Sequence, residues 1–208
     1  MSGRKSWTIF GEALGVMAGA AAILVAAGLI LVAAPYMQLR DVAAPAGLES
    51  YGSVELKGRE HYVNLGCVYC HTQQPRDPSQ APDGKRGWGR PSIPADYVYD
   101  APHLLGTMRT GPDLLNIGAR QPSQAWHLLH LYQPRAVAQE SLMPAFPFLF
   151  DVVEDPADDE VVVRVPAPYG PVSGQVVARR EALELTAYLL ALDRTYPVHA
   201  EGAAETMP

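Results

Sequence analysis

The chain has 208 residues, a formal net charge of −6 and two cysteines, and 48% of its residues are hydrophobic. This length suggests one modest domain with additional segments. The acidic balance argues against a broad basic surface for nucleic acid, so we expect no nucleic-acid partner. Because both cysteines lie in a single short motif, none remains for a structural disulfide, a zinc site or an iron–sulfur cluster.

The first predicted element is a membrane anchor within residues 1–35. Residues 13–34 contain no charged side chain, and a helix of this length reaches roughly 33 Å, enough to cross a bilayer. A cleaved signal peptide usually has an apolar core of only about 7–15 residues, so we expect a retained anchor. Arg4 and Lys5 precede the run and predict a cytoplasmic N-terminus. The remaining chain then lies in the periplasm, attached by a single pass to a bacterial inner membrane.

Small residues recur along this anchor. Gly11, Gly15 and Gly19 are spaced by four residues, a spacing that lets two helices approach closely within lipid. We interpret them as the contact face for another membrane subunit. The alternative is an alanine-rich anchor in which the glycines are incidental.

A linker, residues 36–53, leads to a predicted haem domain over residues 54–200. A helix predicted from Val54 to Asn64 runs into the motif Cys67-Val68-Tyr69-Cys70-His71. C-x-x-C-H is the attachment site of a c-type haem. On a helix the two thiols share one face, and the adjacent imidazole can ligate the iron. A redox C-x-x-C would need a thioredoxin-like context that the chain lacks. The motif predicts one covalently bound haem c, held by the two cysteines, with the histidine as an axial ligand.

The haem motif is followed by a long proline-rich stretch, residues 72–109, in which no long helix is expected. Structureless loops of this length usually serve a function, so we expect this one to lie on a neighbouring subunit. Its basic and aromatic side chains are Lys85, Arg86, Trp88 and Arg90. An ordinary solvated loop is the alternative for this cluster.

Two further helices and one insertion are predicted in the second half of the chain. Ser123 is a suitable N-cap for a helix from Gln124 to Tyr132, and the apolar spacing in residues 179–192 predicts the last helix. Between them lies an acidic insertion, residues 151–178, in which residues 161–165 are expected to form a short strand or hairpin. Residues 201–208 are a C-terminal tail.

The second axial ligand must come from outside the haem motif. Met143 lies in a proline-bounded loop, where class I cytochromes place their axial methionine, and a thioether suits an electron-transfer haem of raised potential. We therefore expect Met143 to ligate the iron. The competing candidates are Met108, His103, His127 and His130.

Four segments together resemble one protein family. They are residues 66–73 (GCVYCHTQ), 106–114 (GTMRTGPDL), 126–135 (WHLLHLYQPR) and 140–147 (ESLMPAFP). In this order, behind an N-terminal anchor, they resemble the monohaem subunit II (FixO/CcoO-like) of cbb3-type cytochrome c oxidases. The resemblance covers roughly residues 5–150.

The resemblance implies a mostly α-helical protein: one transmembrane helix and a class I cytochrome c-like haem domain with long loops. It places Pro112 where a backbone carbonyl braces the proximal histidine, and Arg109 where it could pair with a haem propionate or a neighbouring subunit. Four residues are implied to dock on the catalytic subunit: Trp126, His127, His130 and Arg135.

The implied function is electron relay to the polytopic catalytic subunit of a cbb3-like haem-copper oxygen reductase. The chain would not be an enzyme on its own. A further cytochrome c subunit or a soluble cytochrome would supply the electrons. Two alternatives stay open at this point: the monohaem subunit of a nitric oxide reductase, and a free-standing membrane-tethered electron carrier.

Overall fold

The computed structural model describes residues 3–76, 85–106 and 109–198, with side chains from residue 11 onwards. The predictions that concern Met108, residues 77–84 and the tail 201–208 therefore fall outside the described residues. The chain divides into two compact units, Met1–Ala43 and Ala44–Pro208, and each is described separately.

The first unit is one apolar helical rod. Helix α1 spans Gly3–Gly28, a π-helical turn covers Leu29–Ala33, and α2 spans Ala34–Leu39. A proline inside an α-helix clashes with the carbonyl four residues earlier, and a wider π turn before Pro35 relieves that clash. The segment Gly11–Leu39 is long enough to cross a membrane, and its most apolar stretch has a mean hydropathy of 2.6. The predicted apolar helix is confirmed, and it continues beyond Pro35.

The second unit is built mainly from short helices. Within the described residues we label them α3 (Ser53–Asn64), α4 (Cys67–Cys70), α5 (Ile117–Arg120), α6 (Gln124–Tyr132) and α7 (Arg180–Ala191). Short 3-10 turns cover Pro94–Tyr97, Pro134–Ala136 and Pro147–Leu149. The helices predicted for α3, α6 and α7 are confirmed. The Ser123 hydroxyl accepts a hydrogen bond from the Trp126 amide at 3.3 Å, which confirms the predicted N-cap.

Helices α3 and α7 cross at close range and form the centre of the core. A Cβ placed on Gly58 would lie 1.9 Å from the carbonyl oxygen of Glu184, so only glycine permits this crossing. The buried rings of Tyr62 and Tyr188 meet edge to face at 5.4 Å. Burying such large side chains contributes about 1.5–3 kcal/mol each, which makes this crossing the main packing contact beneath the haem motif.

The acidic insertion carries a small antiparallel sheet. Within the described residues its strands are β1 (Phe150–Val153), β2 (Val162–Val163) and β3 (Gln175–Ala178), in the order β1-β3-β2. Phe150 pairs with Ala178, and Val162 with Val177. The predicted strand is found, although it pairs with β3 rather than closing a hairpin on itself.

The described part of the proline-rich loop packs on its own domain. The Tyr97 hydroxyl donates to the carbonyl of Gln73 at 3.0 Å, and the Gln73 amide donates to the carbonyl of Leu104 at 2.9 Å. The Asp96 carboxylate is 1% exposed and accepts two hydrogen bonds from Arg90, at 2.7 and 2.8 Å. Several polar side chains in this part of the loop are therefore hydrogen-bonded within the domain. The expectation that the loop also lies on a neighbouring subunit stays a prediction.

The basic and aromatic side chains of the loop also contact groups within the domain. The guanidinium groups of Arg86 and Arg120 lie 4.8 and 4.1 Å from the centre of the Trp88 ring. Such cation–π contacts contribute about 0.5–2 kcal/mol each. Trp88 thereby links the loop to α5. Helix α5 follows Gly111 and Pro112, which contact the haem motif.

Candidate haem site

The His71 imidazole is oriented by a backbone carbonyl. Its Nδ1–H donates to the carbonyl oxygen of Pro112 at 2.8 Å. This bond assigns the proton to Nδ1 and leaves the lone pair on Nε2, which is the form that a metal requires. Burial lowers the pKa of His71, so the ring is neutral at physiological pH. The geometry therefore suits His71 as an iron ligand.

Gly111 allows the His71 ring to take this position. A Cβ on Gly111 would lie 2.2 Å from Cε1 and 2.6 Å from Nδ1 of His71. The Gly111 amide also donates to the carbonyl of Cys70 at 2.9 Å. The segment around Gly111 and Pro112 thus packs flat against the haem motif and restrains the imidazole. Sequence patterns do not single out Gly111, because its contact with His71 joins residues far apart in the chain.

The two thiols lie on the single turn of α4. Cys67 is half-buried and Cys70 is exposed, and both are free cysteines. Burial raises the pKa of Cys67 to about 11, so this group is a protonated thiol in the absence of a partner. Gly66 begins the turn with a φ of 78°, a conformation that favours glycine. The spacing expected for two attachment points on one helix face is present.

Arg109 contacts its own domain rather than a free surface. Its side chain is 5% exposed and forms a 3.0 Å ion pair with Asp113. Its Nε–H donates to the carbonyl of Thr72 at 3.0 Å, and Nη2 donates to the carbonyl of Gln74. These bonds fasten the residues that follow the haem motif. Pairing of Arg109 with a haem propionate or a neighbouring subunit, as the resemblance implies, stays a prediction.

Behind the motif, Tyr62 connects the helical core to His71. Its hydroxyl donates to the backbone carbonyl of His71 at 2.5 Å. Tyr188, which contacts Tyr62, accepts a hydrogen bond from the Gln73 amide group at 2.9 Å. The motif is therefore restrained from the core side by Tyr62 and from the loop side by Pro112.

Met143 lies in a half-buried position that packs against the core. Its amide donates to the Ser141 hydroxyl at 3.2 Å, and the Phe146 amide donates to the carbonyl of Leu131 at 2.9 Å. The second bond ties the methionine loop to the end of α6. The neighbouring Leu142 is 85% exposed, so the loop separates one side chain facing the core from one facing solvent.

In two of the competing candidate ligands, a ring nitrogen is hydrogen-bonded to a backbone carbonyl. His103 Nε2 lies 3.1 Å from the carbonyl of Tyr97, and His127 Nε2 lies 2.8 Å from that of Gln121. His127 is also 2% exposed, so it cannot present the surface contact that the sequence predicted. Met143 remains the predicted sixth ligand.

The fold and this site define a class: a helical cytochrome domain that carries a single C-x-x-C-H motif behind an N-terminal apolar helix. The residues present fit a haem, because two thiols share one turn and an oriented neutral imidazole follows them. The family model "Cytochrome C oxidase, mono-heme subunit/FixO" matches residues 9–183. The chain belongs to this family of mono-haem cytochrome c oxidase subunits. No curated protein matches the chain. The matched range includes the acidic insertion, which the sequence resemblance had left uncovered.

Proposed function

We propose that the chain is a membrane-anchored c-type cytochrome that relays electrons, one at a time, to the catalytic subunit of a cbb3-like haem-copper oxygen reductase. The observation that carries the proposal is the His71–Pro112 hydrogen bond next to the C-x-x-C turn. It holds a neutral imidazole in the tautomer that ligates iron. Family membership supplies the complex in which such a haem would work.

Each residue of the proposed site has a separate task. Cys67 and Cys70 would attach the haem through thioether bonds, and His71 and Met143 would ligate the iron. Pro112 orients the imidazole, and Arg109 holds the following loop in place. The bound haem supplies the one-electron chemistry. The protein's contribution is to restrain the ligands, so that little rearrangement accompanies a change of charge at the metal.

The proposed topology follows from the anchor. The helix within Gly11–Leu39 spans the inner membrane with its N-terminus in the cytoplasm, and the second unit lies in the periplasm. A polytopic catalytic subunit is the proposed acceptor. A further cytochrome c subunit or a soluble cytochrome is the proposed donor.

The first test concerns attachment. We expect one haem per chain, seen as a haem-stained band at 22.5 kDa on a denaturing gel. Extraction with acidified acetone should leave the haem on the chain, because thioether bonds survive it. A Cys67→Ala, Cys70→Ala double variant is the control and should not stain. Release of haem from the unaltered chain would overturn covalent attachment.

The second test separates a subunit from a tethered carrier. Among the described residues, nothing lies within 4 Å of a Cβ placed on Gly11, Gly15 or Gly19, so this face of the anchor is open. A Gly15→Leu change should preserve membrane insertion and haem attachment. It should reduce co-purification with a polytopic partner, because small residues permit close helix approach in lipid. Gly28→Leu, which lies outside the four-residue spacing, is the matched control. Full co-purification of Gly15→Leu would refute the glycine contact, and absence of any polytopic partner from the unaltered chain would favour the carrier.

A further inference from the structure

The Pro112 carbonyl that orients His71 belongs to a short loop, residues 111–116, which we call the proximal loop. The next residue of this loop, Asp113, is held by two arginines. Its carboxylate forms a 3.0 Å ion pair with Arg109, and its backbone carbonyl accepts a hydrogen bond from Arg120 Nη2 at 3.0 Å. The peptide groups on the two sides of the Asp113 Cα thus accept one bond each, the first from His71 and the second from Arg120. Movement of the second peptide group therefore displaces the carbonyl that His71 contacts.

Arg120 is held in turn by the ring of Trp88. Its guanidinium group lies 4.1 Å from the centre of that ring. An arginine side chain has many rotamers and loses conformational entropy when it is fixed in one of them. The attraction between the cation and the aromatic face offsets part of this loss. The Trp88 ring therefore favours the position of Arg120 from which it reaches the Asp113 carbonyl.

The backbone at Trp88 is fixed against the other end of the proximal loop. Its carbonyl accepts a 3.3 Å hydrogen bond from Asn116 Nδ2. A Cβ on Gly89 would lie 2.2 Å from the same nitrogen, so this close approach requires glycine. Asn116 is 4% exposed, and its Oδ1 accepts a hydrogen bond from the Arg194 amide at 2.8 Å. The position of Trp88 is thus tied to a buried group of the domain.

We propose that Trp88 is a positioning residue for His71. It acts through Arg120, which fixes the peptide group next to the Pro112 carbonyl. This inference rests on the proposed haem binding. It assigns a task to the aromatic side chain of the long loop, which neither haem attachment nor iron ligation uses.

The position of the Pro112 carbonyl affects how strongly the His71 imidazole donates to iron. A hydrogen bond from the free N–H of a metal-bound imidazole to a carbonyl raises the basicity of that ligand. A more basic imidazole favours the ferric state, because this state carries the higher charge. When the carbonyl is no longer held, the bond from Nδ1 lengthens and this preference weakens. Loss of the Trp88 contact should therefore raise the midpoint potential.

The test measures the midpoint potential of the haem-loaded full chain in detergent. Trp88→Leu removes the aromatic face without altering any charge, so a shift in potential cannot come from a charge gained or lost. We expect the equilibrium between the oxidation states to move about threefold towards the ferrous form, the size expected for one lost cation–π contact. This is a rise of about 28 mV, at about 59 mV per tenfold for one electron.

A second measurement follows the His71 Nδ1 proton directly. Its exchange with deuterated solvent, observed by NMR of the ferrous chain, should become faster in Trp88→Leu because the bond to the Pro112 carbonyl is weakened. Trp88→Phe keeps an aromatic face and should recover most of both effects. If Trp88→Leu does not accumulate with haem, Arg120→Lys tests the same link. It keeps the charge but removes the planar group that stacks and donates at once, and it should shift both measurements in the same direction.

Arg86→Lys is the matched control. The Arg86 guanidinium also lies against the Trp88 ring, at 4.8 Å, but among the described residues it makes no hydrogen bond to the proximal loop. The change keeps the charge and removes the same planar group from the same ring. The potential and the exchange rate of the His71 proton should both stay unchanged.

The inference is overturned if either measurement is unchanged in haem-loaded Trp88→Leu, or in Arg120→Lys where that variant replaces it. Shifts of equal size in Arg86→Lys would also overturn it, because they would indicate a general effect of the loop surface. A Trp88→Phe chain that behaves like Trp88→Leu would show that the aromatic face does not hold Arg120. Absence of haem from the unaltered chain would instead refute the proposed function itself.

Discussion

Replacing Gly111 by alanine should displace the proposed proximal ligand. The new Cβ would stand 2.2, 2.6 and 2.8 Å from three atoms of the His71 ring. Ordinary carbon contacts lie at about 3.5–4.0 Å, so the ring or the loop must move by roughly 1 Å. That shift is enough to break the 2.8 Å bond from Nδ1 to the Pro112 carbonyl.

The magnitude follows from two costs. Overpacking of a tight site destabilises by about 1–3 kcal/mol, and losing the hydrogen bond adds about 0.5–1.5 kcal/mol. We expect the haem-loaded Gly111→Ala chain to lose about 1.5–4.5 kcal/mol of unfolding free energy. With its imidazole displaced, the variant should also show a partly high-spin spectrum.

The assay is denaturant unfolding of the haem-loaded full chain in detergent, followed by absorption in the haem bands. Gly170→Ala is the control, because its Cβ would come no closer than 3.3 Å to the Val165 carbonyl oxygen. Wild-type stability together with an unchanged spectrum in Gly111→Ala would refute the conclusion that Gly111 sets the position of His71.

Two further predictions concern the axial methionine and the buried carboxylate. Met143→Ala should keep the haem attached and give a high-spin or lower-potential centre, because the thioether raises the potential; an unchanged spectrum would exclude Met143 as the ligand. Asp96→Asn should destabilise the domain by about 2–3 kcal/mol at pH 7, since charged hydrogen bonds are lost. Burial alone would raise the pKa of Asp96, but hydrogen bonds from Arg90, the Ile93 amide and Tyr196 leave it below 3.8. Because the folded pKa is the lower one, Asp96 stabilises the fold above pH 3.8, and this contribution disappears as the pH falls through the folded pKa. Unfolding curves measured against pH should converge for the two chains under acid; a constant difference would contradict this origin.

The contacts of the proline-rich loop could not be predicted from the sequence. Prolines correctly predicted that the described residues of the loop form no long helix, because each proline removes a donor and restricts the preceding residue. They carried no information about what the loop covers. Arg194 is one of the residues that the loop contacts. Its Nε–H donates to the carbonyl of Asp96 in the loop at 3.2 Å, and its Nη2 donates to the Tyr51 hydroxyl at 2.9 Å. These contacts join residues 98 and 143 positions apart, and local patterns do not encode such pairs.

Sequence patterns were sufficient to predict the features that depend only on residues close together in the chain. The apolar run predicted the N-terminal apolar helix, Ser123 predicted the start of α6, and the spacing of Cys67, Cys70 and His71 indicated a haem site. Each depends on neighbours within a turn or two of the chain, where backbone geometry fixes which side chains meet.

Only the tertiary structure decided how the proposed ligand, His71, is held. The orientation of His71 depends on the Pro112 carbonyl, the bare backbone of Gly111 and the hydroxyl of Tyr62. The partners of Arg109 and the buried nitrogen of His130 likewise emerge only when α6 and the loops are brought together. The physical reason is that hydrogen bonds and steric contacts between distant segments depend on packing of the whole core, which periodicity along the chain does not specify.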